Sequence, residues 1–101
     1  MNDERKSWPQ TVAEAVEYLV SVLSEDDKSA IKAKTKAGLI DFHFGLGADI
    51  RNRLGFYQGN QALLDSCADR VGWPENVRFI FRADNASGVI LESLWERLQS
   101  E

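Results

Sequence analysis

Apolar positions recur at helical spacing along most of the chain, and the clearest run comes first. Val12, Val16, Leu19, Val20 and Leu23 follow one another at intervals of four, three, one and three, which places them on one face of an amphipathic helix. Just after Trp8-Pro9, Thr11 and Glu14 form the T-x-x-E pattern that satisfies orphan amides at a helix start. A second helix is predicted after Ser24. Glu25, Asp26 and Asp27 occupy its first turn and Lys28, Lys32 and Lys34 follow, an order that suits the helix dipole. Its only large apolar residue is Ile31, so it is expected to be short and exposed.

The third helix is predicted from near Lys36 to about Leu54, with Gly55 as its stop. Leu39, His43, Leu46, Ile50 and Leu54 share one face, widened by Ile40, Phe42 and Phe44. This helix is expected to be central to the core. Asn60 can cap a fourth helix through about Val71, with Leu63, Leu64, Cys67, Ala68 and Val71 inward and Gly72 as its end. The segment Val77 to Arg82 reads Val-Arg-Phe-Ile-Phe-Arg between Pro74 and Asp84-Asn85, which predicts a short extended piece that cannot form a sheet alone. A last helix, capped by Asp84 or Asn85, turns Val89, Ile90, Leu94, Trp95 and Leu98 inward. The fold class is therefore mainly α: a compact single-domain bundle of four to five helices over residues 1–101, with a short extended segment near 77–82 and a flexible stretch at 1–7.

Composition narrows the function classes. The chain has 101 residues, 44% hydrophobic and 28% charged, values that suit one folded core and neither a disordered nor a membrane chain. No apolar run reaches the length of a membrane span, and no apolar stretch follows the charged residues at 1–6 as a secretory signal would require. A cytoplasmic location is the expectation. One cysteine and one histidine leave no disulfide within the chain and no Cys/His cluster for zinc. No metal or cofactor is expected.

The net charge of −4 is unevenly spread. Residues 1–27 hold seven acids against Arg5 and Lys6, whereas residues 51–82 hold five arginines and no lysine against Asp65, Asp69 and Glu75. That balance argues against direct nucleic-acid binding, which draws on an excess of cations for counterion release.

Few residues suggest chemistry. His43 could serve as a general base with Asp41, or with Cys67 as nucleophile, but a single His and Cys at arbitrary spacing match no nucleophile motif, so a hydrogen-bonded structural histidine is preferred and no catalytic residue is assigned. Gly45-Leu46-Gly47 lacks the Lys-Ser/Thr of a phosphate loop. A close helix crossing, where only hydrogen fits in place of a side chain, explains it better. Arg51, Asn52 and Arg53 precede the aromatic and amide-rich loop Gly55 to Asn60. Arginine beside aromatics is the composition of binding hot spots, which makes Arg51, Asn52, Tyr57, Asn60 and Trp73 the candidates for a partner or ligand, although helix-end and loop hydrogen bonds are the favoured account of the polar ones. Trp8 and Trp73 each precede a proline and are either packed or part of an interface.

The order Trp8-Pro9, Leu23 to Lys28, His43-Phe44-Gly45-Leu46-Gly47, Ile50-Arg51-Asn52, Gly55, Gly59-Asn60 and Asp84-x-x-Ser87-x-x-Ile90 with Trp95 resembles a small uncharacterised bacterial domain family. Gly55-Phe56-Tyr57 departs from that family's frequent Gly-Leu-Trp, and Ala83-Asp84-Asn85 from its Pro-Asp-Asp. The resemblance implies a compact helical fold and a polar cluster of His43, Arg51, Asn52, Asn60, Asp84 and Ser87, which reads as a buried network tying the third helix to the last one with Asp84 pairing Arg51. It implies no reaction. His43, Asp84 and Ser87 are thus expected in a structural network.

With no complete catalytic or cofactor motif, the favoured function is a small protein-binding module that occupies a partner, as a toxin-immunity protein or a phage-encoded inhibitor does. One alternative is a small enzyme or anionic-ligand-binding domain built on the cluster around Arg51. Another is a structural module that self-associates as a homo-oligomer through 77–81 by strand addition. A membrane partner is not expected.

Overall fold

The computed structural model describes residues 8–42 and 45–100. The expectations for residues 1–7 and for His43 and Phe44 lie outside the described residues. Five α-helices carry the fold: α1 (Val12–Val22), α2 (Glu25–Ala33), α3 (Leu46–Arg53), α4 (Gln61–Arg70) and α5 (Ala83–Gln99). Short 3-10 turns at Ala37–Phe42, Phe56–Gln58 and Glu75–Ile80 connect them, and the described residues include no strand. No helix among them is long and apolar enough to cross a membrane.

The first two helices form where the pattern places them. Val12, Ala15, Val16 and Leu19 are buried on α1, and Thr11 Oγ1 accepts the Glu14 amide at 3.2 Å. Glu14 reaches back one residue further than a regular capping box, to the amide of Gln10 at 3.2 Å. Ser24 caps α2 by accepting the Asp27 amide at 3.1 Å, and Ile31 is that helix's one buried residue.

The predicted third helix is broken. Its first part is the 3-10 turn at 37–42, started by Thr35, whose Oγ1 accepts the Gly38 amide at 3.1 Å, and α3 begins only after Gly45. Gly38, Gly45 and Gly47 each weaken a helix by about 1 kcal/mol relative to alanine, which removes the drive for a continuous one. Leu39 and Ile50 are still buried, but Ile40, expected to widen the core face, is exposed. Gly45 is an N-cap rather than a mid-helix glycine. No close helix crossing is seen at either glycine among the described residues: a Cβ on Gly47 would lie 3.3 Å from the Phe42 carbonyl oxygen of the preceding turn and from Arg51 Nη1 of α3 itself, and one on Gly45 would meet nothing within 4 Å.

The central helix is α5. It packs against α1, α2, α3 and α4, and it buries Ala86, Ser87, Ile90, Leu91, Ser93, Leu94 and Leu98. That is a wider face than the predicted stripe, because Ala86, Ser87 and Ser93 are small enough to sit under neighbouring helices. Its start also differs from expectation: Arg82 is the N-cap residue, and Asn85 acts from inside the first turn by accepting the Arg82 amide at 3.0 Å. Each fully buried leucine or isoleucine here contributes about 1.5–3 kcal/mol.

Two further expectations fail at the connection between α4 and α5. Val71 is exposed because α4 ends before it can face the core. Residues 75–80 form a 3-10 turn kinked at Val77, not an extended segment. Arg78 closes this turn onto α4, donating to the Trp73 carbonyl at 3.2 Å and to Asp69 Oδ1 at 2.6 Å. Self-association through 77–81 by strand addition therefore loses the strand it needs.

Cys67 is fully buried on α4, and burial pushes its thiol up to about 12. In the folded protein at pH 8, a thiol reagent is expected to label Cys67 only on unfolding, so its rate should rise with urea in step with loss of helix. The folded pKa lies above the unfolded value, so the neutral thiol's contribution is fully present below about pH 9 and is lost as pH climbs toward about 12. Rapid labelling without denaturant would contradict this burial.

Candidate functional site

The polar residues singled out from the sequence separate into two groups. In the first, α3 carries Arg51 one position after the fully buried Ile50, so the guanidinium lies against the start of α5. Arg51 Nη1 donates to Ser87 Oγ at 3.0 Å and Nε to the Tyr57 hydroxyl at 3.1 Å. Asp84 Oδ1 stands 3.5 Å from Nε. Ser87 spends its proton on the Asp84 carbonyl at 3.0 Å, which leaves its lone pairs for Arg51. Arg51 is only 7% exposed. Among the described residues no buried side-chain nitrogen or oxygen lacks a partner.

This geometry sorts the strengths. The Asp84 side chain is 69% exposed, so water screens its pairing with Arg51, and such pairs contribute little. The buried hydrogen bonds and the packed arginine stem contribute more. Arg51→Met is expected to cost about 2–3 kcal/mol, and Asp84→Asn under about 0.5 kcal/mol, both read from urea denaturation. Equal losses would show that the ion pair, not the buried bonds, holds α3 to α5.

Asn60 belongs elsewhere. Its Nδ2 donates to the Leu54 carbonyl at 2.7 Å and to the Pro9 carbonyl at 2.9 Å, and its Oδ1 accepts the Leu63 amide at 3.4 Å. It caps α4 while tying the chain before α1 to the end of α3. The same junction holds Trp8, whose ring lies over Gly55 so closely that a Cβ on that glycine would come within 2.5 Å of it. Asn52 is exposed on α3. Trp73 is half-buried, donates from Nε1 to the Val77 carbonyl at 3.0 Å, and meets the Phe81 ring edge-on at 5.1 Å. These contacts place Trp73 inside the 3-10 connection rather than on an open face.

Beside the Arg51 group lies a groove of about 410 Å³ lined by Phe56, Tyr57, Phe79, Phe81, Arg82 and the first residues of α5. Phe81 is its buried floor, whereas Phe79 is 77% and Tyr57 61% exposed. The kink at Val77 explains the split. An extended segment would have turned Phe79 and Phe81 to one side, but the 3-10 turn buries Phe81 and leaves Phe79 and Ile80 outside. Of the partner or ligand candidates from the sequence Tyr57 alone lines this groove, and the network candidate Asp84 lines it too. Phe79 escapes a reading of the sequence because a strand pattern hides which aromatic a 3-10 turn will expose, and nothing local marks Phe56 or Arg82 as its neighbours.

A smaller recess of about 220 Å³ lies between the 37–42 turn and α5, over Leu39, Gly47, Gly88 and Leu91. Its rim charges serve one another: Lys36 Nζ is 2.9 Å from Glu92 Oε1, a contact that raises the Lys36 pKa above the ordinary lysine value. Among the described residues no three His, Cys, Asp or Glu side chains converge as a metal set would. The aromatic groove is the larger of the two and exposes two aromatic rings.

The model of one protein family, a domain of unknown function (DUF6794), matches residues 8–98. No curated protein and no solved structure matches the chain.

Proposed function

The chain belongs to the DUF6794 family, and for it we propose a protein-binding role in which the domain acts by occupying a partner. The observation that carries this reading is the groove in which Phe79 and Tyr57 stand largely exposed above a buried aromatic floor. Large exposed aromatics are unfavourable in water, and grouped ones mark contact surfaces. The polar cluster supports the same choice by its closure. Arg51 is committed to Tyr57, Ser87 and Asp84, which weighs against an anion site there.

Within this role, an inhibitor or immunity protein is the kind we favour. The exposed Glu25, Asp26 and Asp27 at the start of α2 supply a negative field that would speed approach to a basic cleft. Capture of partners from a lysate of the native host, with and without Phe79→Ser plus Tyr57→Ser, tests the role. A stoichiometric protein that the wild type retains and the double variant loses at least tenfold is the expected result. Equal recovery by both, or no protein recovered, would defeat it.

A further inference from the structure

Of the six arginines in the described residues, five have an acidic partner. Arg51 pairs with Asp84, Arg53 with Asp49, Arg70 with Glu96, Arg78 with Asp69 and Arg97 with Glu17. Arg82 has no carboxylate within 4.0 Å among the described residues, and it is exposed at the mouth of the aromatic groove. Surface arginines in so acidic a chain meet acids readily, so an arginine left unpaired at an apolar groove is a chemical feature of that groove.

Two neighbours add to it. The Tyr57 hydroxyl accepts its hydrogen bond from Arg51, which leaves its own proton to donate outward. Ala83 and Asp84, which line the same groove, begin the 17-residue α5, whose positive dipole end therefore faces it. Asp84 is the groove's one acid, and it stands 3.5 Å from Arg51 Nε. Apolar capacity is just as concentrated, since four of the chain's ten aromatic residues line this one groove.

We infer that the groove receives a segment of a partner protein that presents an apolar side chain beside a carboxylate, the side chain entering between Phe79 and Tyr57 and the carboxylate pairing with Arg82. This rests on the protein-binding reading above and goes beyond it by naming the chemistry of the bound segment. A lone unpaired cation beside aromatics suits one carboxylate on a peptide better than a phosphate backbone, which needs a row of cations.

The test uses the full chain, immobilised, against a displayed library of random 12-residue peptides, followed by anisotropy of the selected peptides labelled with fluorescein. Selected peptides are expected to combine Leu, Ile or Phe with a neighbouring Asp or Glu. Their affinity should fall about thirtyfold with Phe79→Ser and about tenfold with Arg82→Glu, and should weaken between 50 mM and 500 mM salt. Arg82→Glu places an acid at a helix N-terminus, which is favourable, so the variant should keep its fold; Arg82→Gln gives a second reading, and Arg70→Glu, on another face, should leave binding unchanged. Basic or uncharged peptides that still require Phe79 would overturn the inference while sparing the protein-binding role. Absence of any peptide that depends on the groove would overturn both. A Phe79-dependent dimer in sedimentation would instead make a second copy of the chain the occupant, and would likewise overturn it.

Discussion

Gly55→Ala is expected to destabilise the domain by about 3 kcal/mol, with α3 and α1 losing their junction together. Gly55 has φ +75°, a region where a Cβ costs about 1–2 kcal/mol. The remainder comes from Trp8, whose ring atoms stand 2.5–2.7 Å from where that Cβ would sit and must move away. Gly59→Ala isolates the two parts. It has φ +94° but nothing within 4 Å of its Cβ position, so it should lose only the conformational share. In a Trp8→Ala background the difference between the two glycine variants should vanish. Urea denaturation followed by circular dichroism reads the four glycine variants against the wild type and Trp8→Ala, and equal losses for Gly55→Ala and Gly59→Ala would show that Trp8 does not press on Gly55.

Asn60→Asp should cost a similar amount, about 3 kcal/mol at pH 7, although aspartate and asparagine are nearly equal as helix caps. The cap is the lesser part of what Asn60 does. Its amide donates to two carbonyl oxygens, of Leu54 and Pro9, in a site that is 7% exposed. A carboxylate there would face both oxygens with no proton to offer and would lose its hydration. That environment raises the introduced group's pKa above about 3.9, so the damage should shrink as pH falls and the protonated acid regains one donor. A loss below about 0.5 kcal/mol at pH 7, or one that grows toward acid pH, would contradict the hydrogen bonds described.

These two positions show what could be read from the chain and what could not. The periodicity of α1 and α4, the caps at Thr11, Ser24 and Asn60, and the stop at Gly55 are local signals, and each marks a real element boundary. Gly55 and Asn60 were legible as punctuation, but not as the seat of Trp8 and the tie to Pro9, because both partners lie more than 45 residues away along the chain. The third helix was over-extended because apolar spacing at 39, 46, 50 and 54 fits a helix whether or not the glycines between them allow one. The segment 77–82 reads as a strand because alternating Val77, Phe79 and Phe81 satisfies a strand pattern, while Arg78 bonding back to Trp73 and Asp69 makes residues 75–80 a turn. That misreading concealed the groove. Of the partner or ligand candidates named from sequence, Tyr57 stands in it, Arg51 supports it from beneath, and Asn60 and Trp73 hold loops in place.

The position of α5 in the chain has a consequence for how the molecule assembles. It is the helix on which α1, α2, α3 and α4 all pack, and it follows every one of them. During synthesis the earlier helices share little beyond the α1–α4 contact and the Trp8–Gly55 junction until residues 86–98 leave the ribosome. A nascent chain halted before Ala83 should thus remain open to protease, with Leu19, Ile31, Ile50 and Leu63 in water, and should close in a single late step once Leu94 and Leu98 are available.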